Sequence, residues 1–136
     1  MTHRNRGFTL IELVVVIVIL GILSVVALPK FIDISSEART AAVQGVAAGV
    51  SSASAINYGA RKANAAKGVA LKVANVCTIP IMGGLLTGGI DSTKYTVSGT
   101  GDCSSTANDG VAVACTIADA SVSTITATAQ VICANP

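Results

Sequence analysis

The sequence FTLIELVVVIVILGILSVVAL, residues 8–28, is an almost unbroken apolar run that carries one acid, Glu12, near its start. At a rise of about 1.5 Å per residue the run forms a helix of about 31 Å, which matches the roughly 30 Å hydrocarbon core of a bilayer. An acid inside a spanning helix is costly and usually marks function. The run therefore predicts a transmembrane helix in which Glu12 has a role of its own.

A short basic leader precedes this run. Residues 1–7, MTHRNRG, contain Arg4 and Arg6 and no acid, and the positive-inside bias keeps such a segment cytoplasmic. The leader, followed by G-F-T-L-I-E-L and a long aliphatic stretch, resembles type IV prepilins over residues 1–50. The segment PKFIDISSEARTAAVQG, residues 29–45, further resembles the mannose-sensitive haemagglutinin (MSHA) branch of the type IVa pilins.

The resemblance implies processing and assembly sites near the N-terminus. A prepilin peptidase would cleave between Gly7 and Phe8 and N-methylate Phe8, and Glu12 would pair with the Phe8 amine of a neighbouring subunit. The charges agree with this role, because cleavage places a cation one helical turn from Glu12, and an unpaired carboxylate is costly in a low dielectric. The resemblance also implies a helix that melts locally in the filament, where Gly21 and Pro29 weaken it and favour a kink near residue 25.

Two other interpretations of the apolar run stay open. It could be an ordinary secretory signal, in which Val25 and Ala27 supply the small residues for cleavage and the mature chain begins at Leu28. It could also be a plain single-span anchor whose Glu12 side chain reaches the interface. Signal cores normally run for about 7–15 residues without an acid, which favours the pilin interpretation.

Composition indicates one small domain with a modest core. Of 136 residues, 51% are hydrophobic but only 3% are aromatic, and there is no Trp. Cleavage would remove Arg4 and Arg6 and leave seven basic and seven acidic residues. Residues 30–72 are mainly basic and the later part is mainly acidic, a pattern that suits self-association, although scattered solvated charges explain it equally well. Few basic residues and few aromatics argue against a nucleic-acid footprint.

All four cysteines follow the predicted span, on its non-cytoplasmic and oxidising side. They are Cys77, Cys103, Cys115 and Cys133. An even number without a C-x-x-C pair, and with His3 as the one histidine, indicates two disulfides rather than a metal site. Three pairings are open. We favour the sequential one, Cys77–Cys103 with Cys115–Cys133, and expect the disulfides to hold the sheet edge and the C-terminal loop against the helix.

The rest of the chain predicts an α+β protein with the pilin fold. A long protruding N-terminal helix would pack its C-terminal half on a small antiparallel sheet of three to four strands, at 93–98, 111–118 and 124–132. VALKVA, residues 69–74, is also strand-like, and Gly45 and Gly49 would allow close approach of a sheet or helix. The helical apolar stripe is predicted at Phe31, Ile34, Ala38, Ala42, Val46, Val50, Ala53, Ile56, Ala60 and Ala63.

The predicted organisation has four parts. They are a leader (1–7), a hydrophobic transmembrane and filament-core helix (8–29), an amphipathic helix half (30–66), and a region with connector, sheet and disulfides (67–136). The sequence contains no recognisable catalytic constellation and no phosphate-binding glycine spacing, so neither an enzyme nor a cofactor is expected.

The function predicted is that of a structural pilin, which polymerises through its N-terminal helix for adhesion, surface attachment or motility. Its expected partners are copies of itself in a helical filament, the inner-membrane assembly platform, the prepilin peptidase and, before assembly, the lipid bilayer. It would move from the inner membrane to an extracellular pilus. The alternatives are a pseudopilin of a type II secretion system, which shares residues 7–30, and a monomeric membrane-anchored extracellular domain.

Overall fold

The computed structural model describes residues 8–135, without the side chains of residues 28 and 31–33. Over this range the structure confirms the predicted α+β class. The elements in chain order are α1 (Leu10–Ala63), α2 (Ile79–Gly83), β1 (Tyr95–Ser98), a short 3-10 helix (Thr106–Asn108), β2 (Ala112–Asp119) and β3 (Thr126–Ile132). The chain divides into two units between Glu37 and Ala38, and α1 contributes to both. The predicted leader lies outside the described residues.

Helix α1 is continuous for 54 residues and contains Pro29. Its last turn carries Arg61 and Lys62, whose charges suit the negative end of the helix dipole. The helix ends where the Asn64 side chain accepts a hydrogen bond of 2.9 Å from the Ala66 amide and so forms a turn. The observed limits lie within three residues of the predicted ones. The kink near residue 25 stays a prediction.

The part of α1 from Leu10 to Ala27 is apolar on all sides apart from Glu12 and Ser24. The window Leu10–Ala27 has a mean hydropathy of 3.1 and is long enough to cross a bilayer. Its large aliphatic side chains are exposed, from 41% at Val14 to 82% at Leu10. A helix that is hydrophobic all round belongs in a membrane or in a packed core.

The three strands in the described part of the second unit form one antiparallel sheet in the order β1-β2-β3. Strand β2 is central, and its register places Asp119 opposite Tyr95 and Cys115 opposite Ala129. The core lies between this sheet, α1 and the connector that follows the helix. Its fully buried hydrophobic members include Val43, Val50, Leu71, Val76, Met82, Ile117 and Val131.

The buried face of α1 differs from the predicted stripe. It consists of Val43, Ala47, Val50, Ser54 and Asn57. Among the described side chains of the predicted stripe only Val50 is fully buried, and Ile56 is 70% exposed. The stripe was wrong because alanines and glycines occur on every side of the helix and give little hydrophobic contrast, while two of the buried positions, Ser54 and Asn57, are polar.

The connector and Gly45 also differ from the predictions, whereas a Cβ at Gly49 would be in ordinary contact with Leu86 at 3.9 Å. Residues 69–74 form no strand, because Leu71 and Val73 make isolated hydrogen bonds to Ala134 and Cys103 instead of a ladder. Helix α2 was not predicted, although Pro80 lies in its first turn, where proline is favoured. A side chain at Gly45 would meet no atom within 4 Å. Close packing at that position therefore does not occur within the subunit.

Candidate assembly site

Glu12 caps the start of α1. One of its carboxylate oxygens, Oε2, accepts hydrogen bonds from the Thr9 amide at 2.8 Å and from the Thr9 hydroxyl at 2.7 Å. Thr9 directly precedes the helix and Glu12 is its third residue, so this is the return half of a capping box. The T-x-x-E spacing before an apolar run is the sequence signal of this cap, but the role of Thr9 was not predicted.

The Glu12 carboxylate keeps one oxygen for another partner, since Oε1 accepts no hydrogen bond from the described residues. The carboxylate lines a shallow, mostly apolar hollow on α1, together with Phe8, Ile11, Val15 and Val16. Phe8, the predicted mature N-terminus, is 82% exposed. Gly7, on the other side of the predicted cleavage point, lies outside the described residues.

The predicted flexible segment is helical in the subunit. Gly21 has open space around it, and the Ser24 hydroxyl donates to the Leu20 carbonyl at 2.7 Å. Pro29 has no amide to donate to the carbonyl four residues earlier. Local melting between Gly21 and Pro29 is compatible with these weak points and stays a prediction.

The four cysteines form two disulfides, but the favoured sequential pairing is wrong. Cys77 bonds Cys115, and Cys103 bonds Cys133. The reason is a short antiparallel contact in which Val76 donates to Gly101 and Cys103 donates to Val73. This contact places Cys77 and Cys103 at opposite ends of the paired stretch, so they do not bond to each other.

The disulfides also do not attach the sheet edge to the helix. Cys115 is on the central strand, where it anchors the connector through Cys77. Cys133 follows β3 and holds the loop that contains Cys103. None of the four cysteines belongs to α1, so other groups fix the helix to the sheet.

Serine hydroxyls on α1 bind the edge strand β3. The Gln130 amide donates to the Ser51 hydroxyl at 2.9 Å, and the Ile132 amide donates to the Ser54 hydroxyl at 2.7 Å. These amides belong to the strand edge that does not pair with β2. No local sequence pattern distinguishes these two serines from the many exposed ones.

Asn57 fixes the helix to the connector. Its Oδ1 accepts from the Val69 amide at 2.6 Å, and its Nδ2 donates to the Val69 carbonyl at 2.9 Å. Gly68 lies against this contact with φ +75, and a Cβ there would come within 2.6 Å of Asn57 Oδ1. Both the space and the conformation therefore require glycine at position 68.

The basic helix and the acidic lobe meet within one subunit. Arg39 binds both carboxylate oxygens of Asp119 at 3.1 and 3.2 Å, and Lys62 binds Asp109. The hydrogen bond between Lys62 and Asp109 lowers the pKa of Asp109 and raises the pKa of Lys62. The predicted charge asymmetry therefore contributes to the fold of the subunit, and these charges are not all available for self-association.

Comparisons with known proteins bear on identity. A family model described as "Prokaryotic N-terminal methylation motif" matches residues 2–28. The type IV narrow pilus major component PilA5 of Thermus thermophilus is 55% identical over 53 residues, which cover 39% of this chain and 46% of that protein. No solved structure matches the chain.

Other relatives carry similar names. The type IV major alpha-pilin of Moraxella bovis is 49% identical over 43 residues, or 32% of this chain and 27% of that protein. The type IV major pilin protein PilE of Neisseria gonorrhoeae is 36% identical over 102 residues, or 69% of this chain and 61% of that protein. The chain thus spans less than two thirds of each of these relatives. The predicted resemblance to type IV pilins is confirmed, and the finer resemblance to the MSHA branch stays a prediction.

Proposed function

We propose that this chain, which resembles type IV pilins and carries an N-terminal methylation motif, is a structural subunit of a type IV pilus. The observation that carries the proposal is the exposed apolar helix Leu10–Ala27 with Glu12 in its first turn. The described residues of the chain leave this surface uncovered. Lipid would cover it before assembly, and the same helices of other subunits would cover it in the filament.

Processing would create the second charge of the assembly site. Cleavage between Gly7 and Phe8, with N-methylation at Phe8, would leave a cation next to the exposed Phe8 side chain. Oε2 of Glu12 is bound by Thr9 and Oε1 is free among the described residues. The Phe8 amine of a neighbouring subunit could therefore bind Oε1 without breaking the helix cap.

The route of the protein follows from this proposal. The prepilin peptidase would act at the inner membrane, and an assembly platform there would transfer the subunit into an extracellular pilus. Two buried disulfides suit a lobe that folds outside the cytoplasm. The proposed use of the filament is adhesion, surface attachment or motility.

Two measurements on cells that express the full chain test the proposal. Sheared surface fractions should contain filaments of this protein, and mass spectrometry should find a mature terminus at N-methylated Phe8. Replacing Gly7 with a bulkier residue should leave uncleaved precursor in the membrane. A mature chain that begins at Leu28, with no filaments, would support the secretory-signal interpretation and contradict ours.

A further inference from the structure

Three exposed residues form one face of α1 just beyond the apolar window. Lys30, Ile34 and Glu37 follow the i, i+4, i+7 spacing of a single helix face. Ile34 is 59% exposed although it is a large aliphatic residue. The face therefore has a cation at one end, an acid at the other and an uncovered apolar side chain between them.

The helix cannot join these two charges by itself. Residues seven apart are about 10.5 Å apart along the axis, and neither Lys30 nor Glu37 belongs to any ion pair among the described side chains. Among the described side chains, neither charge is paired within this stretch of helix. A second copy of the same face, shifted along its axis, offers both complementary charges.

We propose that Lys30 of one subunit pairs with Glu37 of the adjacent subunit, with Ile34 packed between successive pairs. This inference rests on the proposed function, because a pilus holds copies of α1 parallel. A stagger of about 10 Å between neighbours would place Glu37 of one copy beside Lys30 of the next. The long lysine side chain tolerates a few ångströms of difference.

The same stagger direction serves the pair proposed between Phe8 and Glu12. In both pairs the cation comes before the acid in the sequence. Both pairs therefore form when the subunit that supplies the acid is displaced, relative to its neighbour, towards the N-terminal end of the helices. On a helix of 3.6 residues per turn, Lys30 lies about 40° around the axis from Phe8, and Glu37 lies about 20° from Glu12. The axial offsets differ, about 6 Å for Phe8 and Glu12 against about 10.5 Å for Lys30 and Glu37. One neighbour meets both cations if the long lysine side chain spans the difference of about 4.5 Å.

Local melting between Gly21 and Pro29 would keep the axial stagger, because it lengthens every copy equally, but it would change the angles around the axis. Asp33 is the competing acid, since it lies three residues after Lys30 in the sequence, a spacing that allows pairing within a helix. The variant Asp33→Asn is therefore the matched control for Glu37→Gln. Both remove one negative charge from the same stretch of helix.

A charge-swap experiment tests the pair in cells that express the full chain. Lys30→Glu and Glu37→Lys should each lower the ratio of sheared filament to total pilin by roughly fivefold. The double variant should restore the ratio, because it recreates the pair in reverse. Glu37→Gln should lower the ratio and Asp33→Asn should not. Total pilin and cleavage at Phe8 should be unchanged throughout.

Cysteine cross-linking gives an independent measurement. Filaments of Lys30→Cys, Glu37→Cys double-variant subunits should give a ladder of oligomers on a non-reducing gel, and each single variant should give none. A link within one chain is excluded, because bridged cysteines have Cα atoms within about 7 Å. The pair would be overturned if the wild-type protein forms filaments, both charge-reversal variants assemble normally and no ladder appears. The proposed function would then stay intact. Absence of wild-type filaments would reject both.

Discussion

The Ser54 hydroxyl accepts a hydrogen bond of 2.7 Å from the amide of Ile132, a residue 78 positions away. Ser51 makes the equivalent contact with Gln130. An edge strand normally presents unpaired amides, which invite aggregation unless something covers them. Here α1 covers the edge of β3 with its own side chains. The helix and the sheet are therefore joined in a fixed register by directional polar contacts as well as by small apolar groups.

Removal of the Ser54 hydroxyl should destabilise the lobe. Ser54 is fully buried, so Ser54→Ala leaves the Ile132 amide without its partner in a dry environment, and we expect a loss of about 1–3 kcal/mol in the free energy of unfolding. Urea denaturation of the full chain in detergent, followed by circular dichroism, measures this loss. The control Ser52→Ala changes an exposed serine on the same helix and should have little effect. Equal midpoints for the two variants would contradict the role of Ser54.

Asn57 and Gly68 should behave as a coupled pair. Asn57→Ala removes both hydrogen bonds to Val69, and Gly68→Ala adds a methyl group 2.6 Å from Asn57 Oδ1. Each variant should lower the free energy of unfolding by about 1–3 kcal/mol. The double variant should lose less than the sum, because truncation of Asn57 removes the clash. Strict additivity in the same denaturation experiment would show that the clash does not determine the cost.

The sequence was informative where its signals are long or local. The apolar run with Glu12, the long helix and the three strands could all be predicted from uninterrupted periodicity and β-branched clusters. The buried face of α1 could not, because Ser54 and Asn57 resemble exposed polar residues until their partners near Ile132 and Val69 are known. These partners are distant in sequence, so no local pattern predicts them.

The cysteines show the same limit. Their number and compartment predict two disulfides, but the pairing depends on the contact of Val76 with Gly101, which two irregular segments make. Peptide mapping of the unreduced protein should give Cys77 linked to Cys115 and Cys103 linked to Cys133. Removal of either pair should cost about 2–5 kcal/mol of stability. Recovery of a Cys77–Cys103 peptide from native protein would contradict the structure.

Acid should weaken the attachment of α1 to the end of β2. Burial by itself raises the pKa of Asp119, but hydrogen bonds from the Ser121 and Val122 amides and from Arg39 outweigh it and hold the pKa below its ordinary value of 3.8. The carboxylate therefore stabilises the fold above about pH 4, and this contribution is lost as the pH falls through the lowered value.

The measurement is the urea midpoint between pH 7 and pH 2. Asp119→Asn should lower the midpoint at pH 7 and flatten its fall on acidification. Arg39→Gln should flatten the fall of the midpoint less, because the hydrogen bonds from the Ser121 and Val122 amides to Asp119 remain. Some pH dependence should persist, since hydrogen bonds from Ser104 also lower the pKa of Asp102. An unchanged slope in Asp119→Asn would refute this assignment.

The last prediction separates the two roles of Glu12, helix capping and subunit pairing. Glutamine at the third helical position also serves in a capping box, so Glu12→Gln should keep the hydrogen bonds to Thr9 and lose the charge. Glu12→Val should lose both. If charge pairing with Phe8 drives assembly, both variants should give cleaved, membrane-resident pilin and a fall of roughly a hundredfold in sheared filament, because an unpaired terminal amine would be buried in the filament core. Thr9→Val, which removes the hydroxyl but not the charge, should assemble far better than either.

Immunoblots of sheared and total pilin measure the three ratios. Normal piliation of Glu12→Gln beside failure of Glu12→Val would mean that the carboxylate acts as a helix cap and does not organise the assembly.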